Sequence, residues 1–541
     1  MADWRNIQNG SVIPDEGYAD QPYVVKTRDG AWLCVITTGP GEEGQGGQHV
    51  VVTRSTDQGR TWSKPIDVEP GTGPEASWAV PLATPSGRVY IFYTYNVNNV
   101  RVVPEVASPA IAKRVDTLGK FVFKYSDDGG RTWSAQRYEV PLPMLEADRR
   151  NNFQGREIFF WSVAKPLVDR GQVFIGIGRV TKWGLPGVLM RSRGFVLRSD
   201  NVLTETDPAK VRFRQLPETE EGLRAPKGPI AEEINVTALS DGTLYSIWRS
   251  IDGYLCQAYS TDRGVSWTPP AYATYAPAGR RIKNPRAFSF CRRFANGRYL
   301  LWFHNNGGEI SVSREKWNVY LDRNPGWVLA GTEKNGRLHW SEPEILLYDD
   351  DPPTRMSYPD FVEEDGKYWI TETQKTVARI HRIDDSFLQR LWNPVAPRGL
   401  ETTGEVSTAA GFSIAFPSFL EDLYPGPVAV TGEKLQIAIS DRFSWKLTLG
   451  GFTHESDAGT HEGTLVAGRK QQVVVTVDGG SGIVWWMVDG VFNDGGATRQ
   501  MGWGRLPKEF AHFSTRPTGP GVKVYNRALL VNEAAALFTS P

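Results

Sequence analysis

Between about residue 18 and residue 390, short apolar runs come in pairs, and each pair is joined by a two-residue turn that ends in glycine. The turns are Asp29-Gly30, Ser86-Gly87, Arg170-Gly171, Asp241-Gly242, Asn296-Gly297 and Asp365-Gly366. Glycine accepts the positive φ that a tight hairpin turn demands, so each pair predicts a β-hairpin. The strand after each later turn is rich in aromatic residues, as in Val89–Tyr93, Val173–Ile177, Leu244–Trp248, Tyr299–Phe303 and Tyr368–Ile370. Successive turns lie 55 to 84 residues apart, which leaves room for a four-stranded sheet and its loops. Six such sheets around an axis predict a six-bladed β-propeller with short protected edges and a central channel.

A second pattern runs in step with the first. A loop of the form Ser-x-Asp-x-Gly-x-(Thr/Ser)-Trp occurs at Ser55–Trp62, Ser126–Trp133 and Ser260–Trp267, with a degenerate copy ending at Trp340. In such a loop the Asp accepts amide hydrogens of its own turn, the Gly takes the unusual φ, and the Trp packs between blades. These aspartates therefore read as fold staples and not as catalysts.

After about residue 395 the pattern changes. Asn393–Gly399 reads as a linker, and Lys434–Ile439, Gln472–Val477, Gly482–Gly490 and Gly521–Leu529 alternate as strands with glycine-rich turns between them. This predicts a β-sandwich. The expected organisation is all-β: a propeller over 1–392, a linker over 393–417 and a sandwich (jelly roll) over 418–541. A chain of 541 residues is also too long for one ordinary core.

Composition narrows the function. With 61 basic and 61 acidic residues the chain has no long-range field for nucleic acid or an anionic membrane, and neither partner is expected. The 19 Trp and 55 Gly suit a β-architecture, and exposed Trp also suits sugar binding. Cys34, Cys256 and Cys291 are odd in number and match no metal spacing, so no disulfide framework, zinc site or cofactor is indicated. Asp349–Asp351 reads either as a structural Ca²⁺ loop or as a solvated acidic loop. No run of 18 apolar residues occurs. The expected location is secreted or periplasmic if a signal peptide has been removed, and cytoplasmic otherwise. Nothing in the sequence speaks to oligomeric state.

Propeller topology then sorts the polar residues. Turns and Asp loops fall at one end of the blades. At the other end, before the first strands, stand Asp20, Gln21, Glu75, Ser162, Glu232, Glu233, Arg286, Arg355, Tyr358 and Asp360. After the second strands come Asn96, Arg179, Arg249, His304 and Lys375. Ionisable groups crowded at one end of a channel are costly unless they bind or react, so that end is the candidate site.

The Asp loops within a six-blade pattern resemble the sialidase (neuraminidase) superfamily over roughly residues 15–390. Ile230–Gly242 is similar to the family segment whose Glu supports the nucleophile, with Arg249 where the family has a substrate-binding Arg. Ser357–Gly366 is similar to the segment with the nucleophilic Tyr, here Tyr358. A tyrosine with its usual pKa near 10 needs a neighbouring carboxylate as base, which Glu232 or Glu233 supplies. Alternation along a strand lets only one of the two face the channel. Two departures bear on the substrate. The family's Phe/Tyr-Arg-Ile-Pro motif is Ala19-Asp20-Gln21-Pro22 here, and an Asp at that place repels a substrate carboxylate, which leaves Arg249, Arg286 and Arg355 to bind an anion. The family's general acid lies on the loop between the second and third strands of blade one. Here that loop is glycine-rich and ends in His49, with Glu42 and Glu43 as the other proton donors. The C-terminal strands resemble laminin-G/concanavalin-like domains, which bind carbohydrate or pack against a neighbour.

Three functions follow. The first is an exo-acting glycoside hydrolase with altered specificity, with Tyr358, Glu232, Glu233 and His49 as catalytic candidates. Asp20, Gln21, Glu75, Arg249, Arg286, His304, Arg355 and Asp360 are its substrate-binding candidates. The second is a polysaccharide lyase that cuts a rhamnose-glucuronate type linkage by β-elimination using His49, His304 and Tyr358. The third is a carbohydrate-binding protein without catalysis. All three take an oligosaccharide or polysaccharide partner, and the first fits these residues best.

Overall fold

The computed structural model describes residues 2–186, 189–309, 322–397 and 404–538. Six antiparallel sheets follow one another along the chain, and each starts with an innermost strand beside the channel. In blade one, Tyr18–Lys26, Trp32–Gly39, His49–Ser55 and Ile66–Asp67 pair in order. Blades two and four repeat this plan from Ala76–Ala83 and Glu232–Ala238. In blade three the inner strand is split into Phe159–Trp161 and Leu167–Asp169, and in blade five the outer strand is split into Arg337–Trp340 and Glu344–Leu347. Blade six takes its outermost strand from the start of the chain, with Ser11 opposite Ile380 and Ile13 opposite Ala378. The ring is thus closed by backbone hydrogen bonds between its two ends.

The inner strands are buried on both faces, which is why they read as nearly continuous apolar runs and not as clean alternation. They approach closely. A Cβ on Gly176 of blade three would lie 1.7 Å from the Ile234 carbonyl oxygen of blade four, so only glycine fits there.

The Asp loops act as staples. Asp128 accepts the amides of Arg131 (3.0 Å) and Thr132 (2.9 Å) and the Thr132 hydroxyl (2.7 Å), while Ser126 Oγ accepts the Gly130 amide at 2.7 Å. Asp57 and Asp262 repeat the arrangement. Blade three carries an unrecognised relative, in which Ser199 Oγ accepts the Val202 amide (3.0 Å) and Asn201 Oδ1 accepts the Arg212 amide (3.0 Å).

The helix Asp385–Trp392 starts where Asp384 accepts the Phe387 amide at 3.0 Å, and it buries Phe387, Leu388, Leu391 and Trp392. The C-terminal sandwich joins a six-stranded sheet to the four-stranded sheet Val428–Gly432, Leu435–Ile439, Trp445–Leu449 and Phe452–Glu455. Strand Phe412–Ser418 pairs along its whole length with Gln471–Val477, so the sandwich starts inside the stretch that reads as a linker. Polar residues Ser413 and Ser418, together with Pro417, hide this strand from a hydropathy reading.

The alternation in Gln471–Val477 and Ile483–Val488 does not separate a wet face from a dry one. Val473, Val475, Trp486 and Val488 face the sandwich core, while Val474, Trp485 and Met487 join Trp327, Trp340 and Tyr348 of the propeller in one apolar cluster. The sheet is a shared wall. Among the described residues no helix is long and apolar enough to cross a membrane.

The staples should be visible in unfolding experiments. The hydroxyl and amide of Thr61 hold the Asp57 carboxyl at about 2, and Thr132 holds Asp128 at about 2 against the upward push of burial. Both lie below the ordinary aspartate value of ~3.9, so their contribution to stability is complete above that pH and is lost as pH falls through about 2. Asp128→Ala is expected to cost ~1–2 kcal/mol in urea unfolding at pH 7, with the difference from the parent protein shrinking between about pH 4 and 2.

Candidate active site

At the end of the channel opposite the hairpin turns lies a cavity of about 370 Å³. One feature of the inner strands makes it. In blades one, two and four the pairing register slips at the same place, between Asp20 and Tyr23, between Ser77 and Val80, and between Glu232 and Asn235. At each slip a non-glycine residue adopts positive φ: Gln21 (57°), Trp78 (62°) and Glu233 (57°). Tyr358, just before the inner strand of blade six, does the same at 45°. Each bulge re-aims a side chain toward the axis. Such conformations cost about 1–3 kcal/mol each and cluster at functional sites.

Tyr358 and Glu233 meet in the cavity wall, where the Tyr358 hydroxyl donates to Glu233 Oε1 at 2.8 Å. Arg249 Nη1 lies 2.9 Å from the same oxygen. Glu232 sits behind the wall and is held by Arg249 at 2.5 and 2.8 Å and by a short contact from Arg286. Strand alternation allows only one of these two glutamates inside, and only Glu233 lines the cavity, although Arg249 touches both. Their environments push their pKa values apart. Burial acts upward on both, but the Arg286 and Arg249 guanidinium groups bring Glu232 below the ordinary glutamate value, while Glu233 stays raised. Burial and the Glu233 charge push the Tyr358 hydroxyl well above 10.

The Asp20 departure is neutralised. Lys375 donates to Asp20 Oδ2 at 2.6 Å and the Tyr18 hydroxyl donates to the same oxygen at 2.8 Å, so the Asp20 charge is already paired. The expected repulsion of a substrate carboxylate is therefore absent from the wall, and a cation stands there instead. The Lys375 ammonium also lies 3.3 Å from Glu43 and 4.4 Å from the Tyr358 ring centroid. Arg114 approaches Glu43 at 2.8 Å and Asp116 at 3.3 Å. Burial pushes Glu43 up, and Lys375 and Arg114 more than offset it, leaving the carboxyl well below the usual range.

Six cations line the cavity (Arg114, Arg249, Arg286, Arg323, Arg355 and Lys375) against two carboxylates, Glu43 and Glu233. Asp20, Asp116 and Glu232 behind the wall still leave an excess of positive charge. Arg323 is 7% exposed and donates to Ser357 Oγ and to the Arg286 carbonyl, both at 2.8 Å. Among the described residues no carboxylate hydrogen-bonds it. Trp78, Trp161, Trp183 and Met190 supply apolar surface.

Other candidates lie elsewhere. His49 is outside the cavity: it opens the third strand of blade one and faces Glu16 (3.3 Å) and Asp67 (3.8 Å) on the outer side of the sheet. Those three are the one group among the described residues with donor atoms close enough to share a metal ion, and two of them are exposed. His304 is fully buried behind the wall, and burial pushes its imidazole down to about 3. Glu75 binds Asn96 (3.1 Å) and Arg101 at the edge of blade two. Gln21 donates to the Ser162 carbonyl at 3.3 Å across the channel. Asp360 accepts the Val24 amide (2.9 Å) and Lys165 (2.7 Å), pinning blades six, one and three together. Asp349 and Asp351 are taken up by backbone and side-chain bonds to Asn324 and Gln8.

Sequence reading missed Arg323, Arg114 and the three tryptophans of the wall. Trp78 had a signal, because Glu75–Trp78 is the blade-two counterpart of Asp20-Gln21 and Glu232-Glu233. Arg114 had a weaker one in the length of its loop, which runs from Asn96 to Gly119.

A sheet ring with Asp loops on one end and a cation-rich cavity holding a Tyr–Glu pair on the other defines a sialidase-like β-propeller. The BNR repeat-like domain model matches residues 75–370, more than half of the chain, and the chain belongs to that family. No curated protein sequence matches it. Among solved structures it is similar to a protein of unknown function from Dyadobacter fermentans (14% identity, TM-score 0.48, covering 69% of this chain and 97% of that one). It is also similar to Trypanosoma rangeli sialidase in complex with 2,3-difluorosialic acid (12% identity, TM-score 0.44, covering 98% and 96%). A third is the NanB sialidase of Streptococcus pneumoniae (11% identity, TM-score 0.46, covering 70% of each).

The Asp20–Lys375 pair is open to test by stability alone. Lys375→Met strands a buried carboxylate and is expected to cost ~3–5 kcal/mol in urea unfolding. Adding Asp20→Asn to that variant should recover most of the loss, because no charge then remains to be paired.

Proposed function

We propose that the protein is an exo-acting glycoside hydrolase that removes a terminal acidic sugar from a glycan. The observation that carries this reading is the 2.8 Å hydrogen bond from the Tyr358 hydroxyl to Glu233 in the wall of the cavity. A buried phenol with a raised pKa is inert until a base takes its proton, and Glu233, raised by burial, is a stronger base than an exposed glutamate. As the phenol oxygen attacks the anomeric carbon its proton passes to Glu233, the bond from that carbon to the leaving oxygen breaks, and the leaving oxygen takes a proton from Glu43. Water, deprotonated by Glu43, then displaces the phenol oxygen, which recovers its proton from Glu233, and the sugar leaves with net retention. Glu43 faces the same cavity on the loop where the family has its acid. It is ionised while Lys375 and Arg114 hold it, and an anionic substrate that engages those cations raises its proton affinity, because burial then acts on it with less opposition.

The acidic substrate follows from charge. Arg323 is a buried guanidinium that donates to a hydroxyl and a carbonyl, and with Arg249 and Arg355 it offers a carboxylate bidentate donors. The apolar wall of Trp78, Trp161 and Met190 suits the less polar face of the ring. The size of the cavity favours a chain end over a chain passing through. Elimination through histidine has no support from the geometry, since His49 and His304 both lie outside the cavity.

Incubation with glycans capped by sialic or uronic acids should release the free acidic monosaccharide with no rise in ultraviolet absorbance. Such a rise would mean an unsaturated product and would overturn the hydrolase reading. Tyr358→Phe should lower kcat by about 10³-fold or more with the fold intact. Arg323→Ala should mainly raise KM, by about 10–100-fold. Full activity in both Tyr358→Phe and Glu233→Gln would sink the mechanism.

A further inference from the structure

Arg323 stands in an unusual setting. The residue before it, Asp322, is exposed and left-handed at φ 59°, and Asn305, on the neighbouring part of the blade-five loop, is left-handed at 42°. Asp and Asn tolerate this region better than other non-glycine residues, but it still carries a cost, and the bonds around them hold both in place. Within blade five, Asn306 Nδ2 donates to the Asp322 carbonyl at 2.7 Å and to the His304 carbonyl at 2.9 Å, tying the two segments together.

The remaining ties come from the sandwich. Gln500 Nε2 donates to Asn306 Oδ1 at 3.1 Å and to Asp322 Oδ2 at 2.9 Å, and the Gln500 carbonyl accepts the Gly307 amide at 2.9 Å. The Trp503 indole donates to the Asn305 carbonyl at 2.9 Å, and its ring lies 6.0 Å from Trp327. Arg505 donates to the Asn324 carbonyl at 3.1 Å. Both residues that flank Arg323, and both strained positions, are therefore held by one short stretch of the second domain. Gln500 and Trp503 are themselves buried, at 9% and 6% exposure.

We infer that the second domain acts on the site as a brace. Gln500, Trp503 and Arg505 are positioning residues that fix the backbone on either side of Arg323, and so set the geometry with which its guanidinium meets an acidic substrate. This rests on the reading above only for the identity of the ligand, because the brace is a property of the protein alone. It gives the sandwich a part in specificity although none of its described residues lines the cavity. A sheet buried on one face by its own partner sheet and on the other by the propeller is rigid enough to serve.

The experiment separates brace from ligand. Hydrogen exchange is followed by mass spectrometry in the full-length protein and in Gln500→Ala, Gln500→Lys and Trp503→Phe. In Gln500→Ala the amides of residues 322–334 should exchange about tenfold faster, while those of Glu232–Ala238 keep the parent rate. Gln500→Lys retains donors toward Asn306 and Asp322 and should restore protection. Trp503→Phe, which keeps a ring but loses the indole donor, should show a smaller gain confined to the same segment. Unchanged exchange at 322–334 in Gln500→Ala, or a gain spread over every blade, overturns the brace. Titration calorimetry with N-acetylneuraminic acid and glucuronic acid, and with their methyl esters, is the second arm. Whichever acid the parent protein binds should bind about tenfold more weakly to Gln500→Ala, and its ester should be unaffected. If the parent protein binds neither acid while 322–334 loosens as described, the acidic-sugar reading falls and the brace stands.

Discussion

Everything at the mouth of the channel depends on three inner strands breaking their own pleat and on a left-handed residue at the entry to a fourth. A regular strand sends alternate side chains to opposite faces, which would put either Glu232 or Glu233 into a blade interior. The slip at Glu233 and its left-handed φ turn the second glutamate toward the axis without turning the first away from Arg249. The same device brings Trp78 and Tyr358 to the axis. A slip in one strand is a local defect; the same slip in three blades, with Tyr358 matching it in a fourth, is an architecture. Its cost is met by the ring itself, since each strained residue is wedged between neighbouring inner strands that cannot move apart.

Burying so many charges raises a second problem, which the chain solves by layering. The outer layer of carboxylates, Asp20, Asp116 and Glu232, never faces the cavity and serves to hold Lys375, Arg114, Arg249 and Arg286 in place. The inner layer is then free to present positive charge. A carboxylate paired in the outer layer adds no unpaired negative charge to the wall, whereas loss of its partner leaves a lone buried ion that the fold cannot accommodate. The Asp at position 20 is therefore not by itself evidence against anion binding.

Much of the fold was legible in the sequence, and the reason is local. Asp29-Gly30 and its five counterparts fix hairpins by turn chemistry that needs no tertiary context, and the Asp loops repeat because their hydrogen bonds close within eight residues. Tyr358, Glu233 and Arg249 were legible as a group because topology alone puts them at one end. Other features were written in no local pattern. Strand Ser11–Ile13 belongs to a sheet more than 360 residues away, so nothing near it shows its partner. Lys375 was visible as a polar residue at the right end, but its pairing with Asp20 spans the whole ring. Arg323 owes its place to contacts from another domain. His49 misled for a related reason: its loop borders the cavity through Glu43, while its own ring points to the outer side.

The borrowed strand of blade six bears on the order in which the chain takes shape during synthesis. Residues 11–13 leave the ribosome before any of the blades, and their partners at 378–380 follow only after five blades have been made. Until then the ring is open and both of its terminal edges are unpaired. Arg5, a few residues earlier, grips Asp478 of the sandwich with two bonds of 2.7 and 3.0 Å, so even the closed ring is not fully anchored until the second domain has been added. Residues 5–13 must therefore remain available until their partners have been made. The newborn chain is exposed to mispairing over that interval, and the finished one gains a seam in which both ends hold each other shut.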